Sequence, residues 1–256
     1  MRLSARDFDD IQAHIDLTQT SLSRLGLSLH VDNDLRRFAA YLSEQPKTHG
    51  VPNTHDPERT YLHPGNSFWV YVREDATERI VACHGQRLLE TDDFIEDCLA
   101  QPYFEDITPG LALQPLGLYP EAGMVRIDGR ILLGGGTYIH PDWRGRGLLI
   151  FNQCSRSIAL RHFRGDYLVG TLLNTPSRQG MALGGVAYSH WVPFVKGGLP
   201  GKSQAADVLM AWSSRDEWLA TIRRDLEAQG DERRIQAPLS FQRNRPGEGA
   251  AAGSSG

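Results

Sequence analysis

The chain has 256 residues, 40% of them hydrophobic and 23% charged, with a formal net charge of -4. That length can bury a sizeable core as one large domain or two small ones, and the slight acidity excludes nonspecific nucleic-acid binding as the main task. No apolar run approaches the roughly 18 residues of a membrane span, no signal-peptide core follows Met1, and Cys83, Cys98 and Cys154 form neither a disulfide framework nor a metal spacing; the expected setting is a reducing cytoplasm, with no nucleic acid and no membrane as partner.

In chain order, Ser4 to Asp7 reads as a capping box for a helix whose inner face is Phe8, Ile11, Ile15, Leu22 and Leu25, with Gly26 as its stop. Asp32 or Asn33 is expected to cap a second helix with Leu35, Phe38, Ala39 and Leu42 inward. Residues 1–45 thus form a helical N-terminal region that serves as packing surface. Residues 45–66, rich in Pro, His, Thr and Gly, read as a loop. Its histidines, His49, His55 and His63, lack the short spacing of a metal site, so no metal is expected. Residues 68–72 and 80–89 read as a β-hairpin, 91–99 as a short acidic helix, and the stretch through Pro120 as irregular. A second hairpin is predicted from 123–127 and 131–139 about Asp128-Gly129, a strong turn signal. Beyond it, 167–173 is a buried-type strand, and Thr175-Pro176 opens a glycine-weakened helix over 177–186. Two more strands, 189–195 and 207–212, precede a capping box, Ser214 to Glu217, and a helix with Trp218, Ile222 and Leu226 inward. From residue 243 to 256 the tail cannot bury apolar area and is expected to be disordered. No internal repeat is present.

The chemistry concentrates where the strand at 130–137 meets the helical spacing of Leu148, Phe151 and Ile158, through a turn with Arg144, Gly145, Arg146 and Gly147. A glycine-rich turn at a helix start aims N–H groups outward at the positive end of the helix dipole, which makes an anion site. Two arginines add charge and bidentate geometry. A nucleotide-triphosphate loop is excluded at Gly198–Ser203, because the required first glycine position is Lys196. A dinucleotide fingerprint is excluded because Ile150 stands where its third glycine belongs.

The run Ile139-x-Pro141-x-Trp143-Arg144-Gly145-Arg146-Gly147-Leu148 resembles motif A of the GCN5-related N-acetyltransferases, with Leu149 in place of the family's final small residue. The downstream order is similar too: a strand ending at Asn174, then Ser177, then Gly185-Val186. The resemblance covers roughly 68–212. It implies an acetyl-coenzyme A (acyl-coenzyme A) co-substrate, its pyrophosphate held at Arg144, Gly145, Arg146, Gly147 and Leu148 and its pantetheine arm paired with Ile139 and His140. Asn174 and Ser177 would complete the coenzyme contacts. The family's general-acid tyrosine falls on Met181, and Tyr188 lies further along as a substitute. Many relatives carry a Glu or His in the strand before motif A; residues 131–138 hold no Glu, Asp or His. The candidate bases are therefore His140 and His84, His having an unperturbed pKa near 6.5. Glu105, Asp106 and Glu121 lie on the insertion that would border the acceptor pocket, and Cys154 is packing.

The expected fold is a mixed α/β (α+β) domain over residues 1–242, with a core at 68–212: a twisted, mostly antiparallel sheet flanked by helices. The expected activity is transfer of an acetyl or other acyl group to an amine of a small molecule or peptide. A base frees the amine lone pair, and a donor meets the oxyanion and the leaving thiolate. Two rival expectations stand beside it: a longer acyl chain or an acyl-carrier-protein donor, and a non-catalytic acyl-coenzyme A sensor. An exposed sheet edge makes a homodimer possible.

Overall fold

A computed structural model describes residues 3–45, 50–100, 117–174, 187–196 and 207–229. The expected helix 177–186, the loop with Gly198, Glu105, Asp106 and the tail lie outside these residues. The first helix, α1 (Ala5–Ser23), opens on the expected capping box: Ser4 Oγ accepts from Asp7 N–H at 3.2 Å, and the Asp7 carboxylate accepts from Ser4 N–H at 2.7 Å. Gly26, at φ +70°, turns the chain out of the helix. It leads into a strand absent from the sequence reading, β1 (Leu27–Asp32), so the cap of α2 (Leu35–Glu44) moves to Asp34, whose Oδ1 accepts from Arg36 and Arg37 N–H. β1 exists because the edge of β2 (Ser67–Glu74) pairs with all six of its residues.

The first hairpin is as expected, β2 with β3 (Ile80–Thr91), followed by α3 (Phe94–Ala100) and the two-residue β4 (Gly117–Leu118). The second hairpin is not formed. Residues Ala122–Met124 make a 3-10 turn, and β5 (Gly129–Ile139) lies between β3 and β6 (Tyr167–Leu173). Asp128-Gly129 is a corner held from across the sheet: Gly129 has φ +85°, and the Asp166 carboxylate accepts from Arg130 N–H at 3.0 Å. With both edges of β5 taken by longer partners, no room is left for 123–127 as a strand. After a 3-10 turn at Pro141–Trp143 come α4 (Ile150–Phe163), β6, β7 (His190–Lys196), β8 (Val208–Ser214) and α5 (Arg215–Gln229). α5 starts on the expected Ser214–Glu217 box, with Ser214 N–H 2.8 Å from Glu217 Oε2.

The eight strands run in the order β1-β2-β3-β5-β6-β8-β7-β4, and every pair is antiparallel except β5 with β6. This is the twisted, mostly antiparallel sheet flanked by helices that the sequence implies. Helices α1, α4 and α5 cover one face over Ile15, Leu132, Leu160, Leu168 and Trp218. Helices α2 and α3 lie on the other, over Phe38, Trp69 and Tyr138 and over Ile131, Leu133 and Val169 respectively. Burying such side chains stabilises by about 1.5–3 kcal/mol each. Arg223 ties the first helix to the last, with Nε 2.7 Å from Asp10 and Nη2 2.6 Å from Asp7.

One irregularity positions everything functional. Cys83 pairs with Tyr138 and Gly85 with Gly135, so β5 spends three steps where β3 spends two. That is a β-bulge. Gly136 carries it at φ +64°, with a would-be Cβ 2.6 Å from Phe38 Cζ. Pairing of β5 with β6 stops at Gly134–Gly170, just short of the bulge. From there β5 stays with β3 and β6 stays with β8 as far as Leu173, and a wedge opens between the two parallel strands.

Gly136→Ala should cost roughly 2–4 kcal/mol, because left-handed strain adds to overpacking against Phe38. Gly145→Ala, with the same sign of φ but nothing within 4 Å, should cost only about 1 kcal/mol. Urea unfolding of both variants measures the difference.

Candidate functional site

The wedge has a wall of β5, a wall of β6 and, at its mouth, the turn before α4. His140 N–H donates to Val81 O at 2.7 Å. By strand alternation, Ile139 therefore turns its own N–H and C=O away from β3 and into the wedge. Its carbonyl is already met there by Arg144 Nε at 3.0 Å. His140 has given its N–H to β3, so of the two expected main-chain partners only Ile139 faces the opening.

Residues 144–149 form an extended turn, and α4 begins only at Ile150. Gly145 and Gly147 sit at φ +76° and +77° with nothing near their would-be Cβ atoms. Here glycine meets a demand of the backbone, and packing plays no part. In this turn the N–H groups of Gly145, Gly147, Leu148 and Leu149 have no hydrogen-bond partner among the described residues. Four unpartnered amides at a helix start, with Arg144 and Arg146 exposed beside them, have the chemistry that suits an anion. Arg146 stacks 5.4 Å from the Trp143 ring centroid, which keeps its guanidinium over the turn. The Leu148 side chain is buried against Val81, Ala82 and Phe151, so only its main chain serves the site.

The remaining candidates are dispersed. The His140 ring caps the 3-10 turn, with Nδ1 accepting from Asp142 N–H at 3.3 Å. Asn174 lies just past the end of β6 and donates its N–H to Asp207 O at 2.8 Å. Tyr188 is buried, its hydroxyl packed over Gly170 on the face covered by α1, α4 and α5, its ring centroid 4.3 Å from the Arg156 guanidinium. Arg156 lies at the same 4.3 Å from Trp218, so the Tyr188 ring is packed in the interior beside Gly170, where β5 and β6 part. Ser177 and Met181 lie outside the described residues. Glu121 is exposed at the 3-10 turn Ala122–Met124.

His84 is buried and belongs to a polar group that the sequence reading did not assemble. Its Nδ1 lies 2.7 Å from Thr137 Oγ1 and 3.2 Å from Asn152 Nδ2, and Asn152 Nδ2 is itself 3.2 Å from Thr137 Oγ1. Its Nε2 is without a partner and points at Gly134, where a Cβ would come within 2.6 Å. Burial holds the ring well below the ordinary histidine pKa, with His55 and Arg156 acting in the same direction. On the opposite face His55, fully buried, fills the hollow over Gly85 and Gly135 and bonds Thr54 Oγ1 at 2.9 Å. The sequence signal for this cluster was present but easily passed over: Asn152, Ser155 and Arg156 recur at helical spacing on the inner face of α4.

No group of three or more His, Cys, Asp or Glu among the described residues could hold a metal. A hollow of about 600 Å³ opens at the far end of β5, lined by Glu90, Asp92, Asp93, Glu96 and Asp97 against a single cation, Arg130, which pairs with Glu90. Such carboxylates repel a phosphate.

The chain matches no family model and no curated protein sequence. Its structure is similar to that of Arabidopsis thaliana NAA60 in complex with acetyl-CoA, with 8% identity and a TM-score of 0.45, covering 73% of this chain and 99% of that one. It is also similar to the ribosomal-protein-S5-alanine acetyltransferase of Vibrio fischeri (10%, 0.42, 75% and 95%) and to the aminoglycoside N(6')acetyltransferase of Legionella pneumophila (10%, 0.41, 78% and 96%). Likeness at this level does not carry an activity, which has to be argued from the wedge and the turn. No described helix is long and apolar enough to cross a membrane.

Three buried histidines generate a pH prediction. Burial lowers His14 to about 4 and His55 to about 3, and His84 moves in the same direction. Between these values and 6.5 the unfolded chain binds the protons that the folded chain refuses, so stability is complete above pH 6.5 and falls as the pH drops. At pH 5 the loss should be on the order of 1–2 kcal/mol per histidine relative to pH 8. Urea midpoints across that range test it, and an unchanged midpoint would show these rings protonated or exposed.

Proposed function

We propose that the chain is a single-domain acyl-coenzyme A-dependent N-acyltransferase of the GCN5-related type, moving an acetyl or other acyl group to an amine of a small molecule or peptide. The observation that carries this reading is the parallel pair β5 and β6 parting at Gly134–Gly170 directly before a turn of four unpartnered amides. An extended carrier arm can add itself to the open edge of β5 through Ile139 while its diphosphate rests on 145–149. Main-chain N–H groups and the Arg144 and Arg146 guanidinia suit that charge. A thioester delivered this way is already activated, so holding it against an incoming amine supplies much of the rate.

A second reading, a non-catalytic acyl-coenzyme A sensor, is favoured by one observation. Of the two candidate bases, His84 is sealed in the sheet and the His140 ring caps a turn. An amine that arrives neutral, or a water chain to a more distant base, reconciles the site with catalysis.

Titration calorimetry with acetyl-coenzyme A should give a dissociation constant well below millimolar. Replacing Arg144 and Arg146 together by Ala should weaken it about 10- to 100-fold, the loss of two exposed hydrogen bonds of about 0.7–1.4 kcal/mol each, without shifting the urea midpoint. Binding no tighter than millimolar in the wild type would sink the reading. Release of free thiol over a panel of amines then separates enzyme from sensor.

A further inference from the structure

The wedge contains a hydroxyl whose surroundings specialise it. Thr137 is exposed on the unpaired part of β5, one residue past the bulge glycine and two residues, roughly 7 Å, inward from Ile139. Behind it stand His84 Nδ1 at 2.7 Å and Asn152 Nδ2 at 3.2 Å. Two facts decide which way the Thr137 proton points. The Asn152 amide nitrogen lies 3.2 Å from both Thr137 Oγ1 and His84 Nδ1, so it gives its hydrogen bond to the Thr137 oxygen when the ring carries its proton on Nδ1. On His84, Nε2 is buried without a partner, and a bare acceptor lone pair is a commoner orphan in protein interiors than a buried N–H. The ring proton then sits on Nδ1 and is also donated to Thr137. With two hydrogen bonds arriving from inside, the Thr137 oxygen keeps its own proton to offer outward, on the exposed side of the residue.

We propose that Thr137 is the catalytic oxyanion donor of the wedge, with His84 and Asn152 as the positioning residues that aim its proton. This rests on the acyl-transfer reading above. A carrier whose diphosphate sits at the mouth and whose arm runs inward along β5 brings its thioester carbonyl toward the apex, where Thr137 stands. Attack by the amine forms the C–N bond and moves the carbonyl π pair onto oxygen, and the Thr137 O–H donates a hydrogen bond to that oxyanion without losing its proton. Re-formation of C=O breaks the C–S bond; the thiolate leaves with the electron pair, and the ammonium proton passes to solvent or to the thiolate. The arrangement also explains Gly134, since any Cβ there would displace the ring that orients the hydroxyl.

The experiment uses the full chain, and its arms fail separately. Thiol release and acetyl-coenzyme A calorimetry are measured for wild type, Thr137→Val and Thr137→Ser. The isosteric Val should lower kcat by roughly 100- to 1000-fold, the usual effect of losing one oxyanion donor, while coenzyme affinity changes less than about 3-fold; Ser should recover most of the rate. Wild-type activity with an unimpaired Val variant would overturn the inference alone. A wild type that neither binds nor turns over would overturn the acyl-transfer reading and the inference with it. Independently of activity, side-chain ¹⁵N resonances of His84, assigned with a His84→Gln control, should report a neutral ring protonated at Nδ1. A ring protonated at Nε2 would overturn the orientation. His84→Gln should lower kcat more than it raises KM; an effect confined to KM or to stability would remove His84 from its positioning role.

Discussion

The extra residue in β5 opposite His84 is a local matter of hydrogen-bond count, yet the rest of the site hangs on it. Two consecutive glycines at the bulge leave no side chain in the way: Gly135 faces His55 and Pro52, and Gly136 faces Phe38 and Leu42 of α2. Only because Gly136 accepts a left-handed φ can the strand take an additional residue, keep its bonds to β3 and still swing away from β6. The wedge follows, and so do the direction of Ile139 and the place where α4 begins.

The same glycines resolve an apparent contradiction. A sheet interior holding two imidazoles within one strand of each other is costly in desolvation, and both rings are kept neutral by that burial. Without Cβ atoms at 134 and 135 the strand is thin enough for a ring to rest on each face. Sites that carry such local costs are where function is concentrated. Here the cost lies directly beneath the one stretch of β5 that lacks its parallel neighbour.

Electrostatics divide β5 lengthwise. Its first residues border a hollow lined by five carboxylates and one cation, Arg130, while its last lead to unpartnered amides and two exposed arginines. A polyanionic ligand is therefore favoured at one end of the strand and repelled at the other. A chain of net charge -4 can in this way hold a cationic site without being basic overall.

By itself the sequence determined the parts that depend on neighbours in the chain. Capping boxes at Ser4 and Ser214, the β2–β3 hairpin, β6 and the glycine–arginine turn are all local patterns, because caps and turns are satisfied within about four residues. What it could not settle was which strand lies beside which. Asp128-Gly129 has hairpin chemistry, yet it is a corner, because β3 and β6 from distant parts of the chain outcompete 123–127 for the edges of β5. β1 leaves no local signal, because its pairing partner is some forty residues away along the chain. His84 was legible as a candidate, but its burial and its bonds to Thr137 and Asn152 depend on a bulge 53 residues later and a helix 68 residues later. Tertiary structure alone brought those three groups together, since hydrogen bonding between side chains is decided by distance in space and not along the chain.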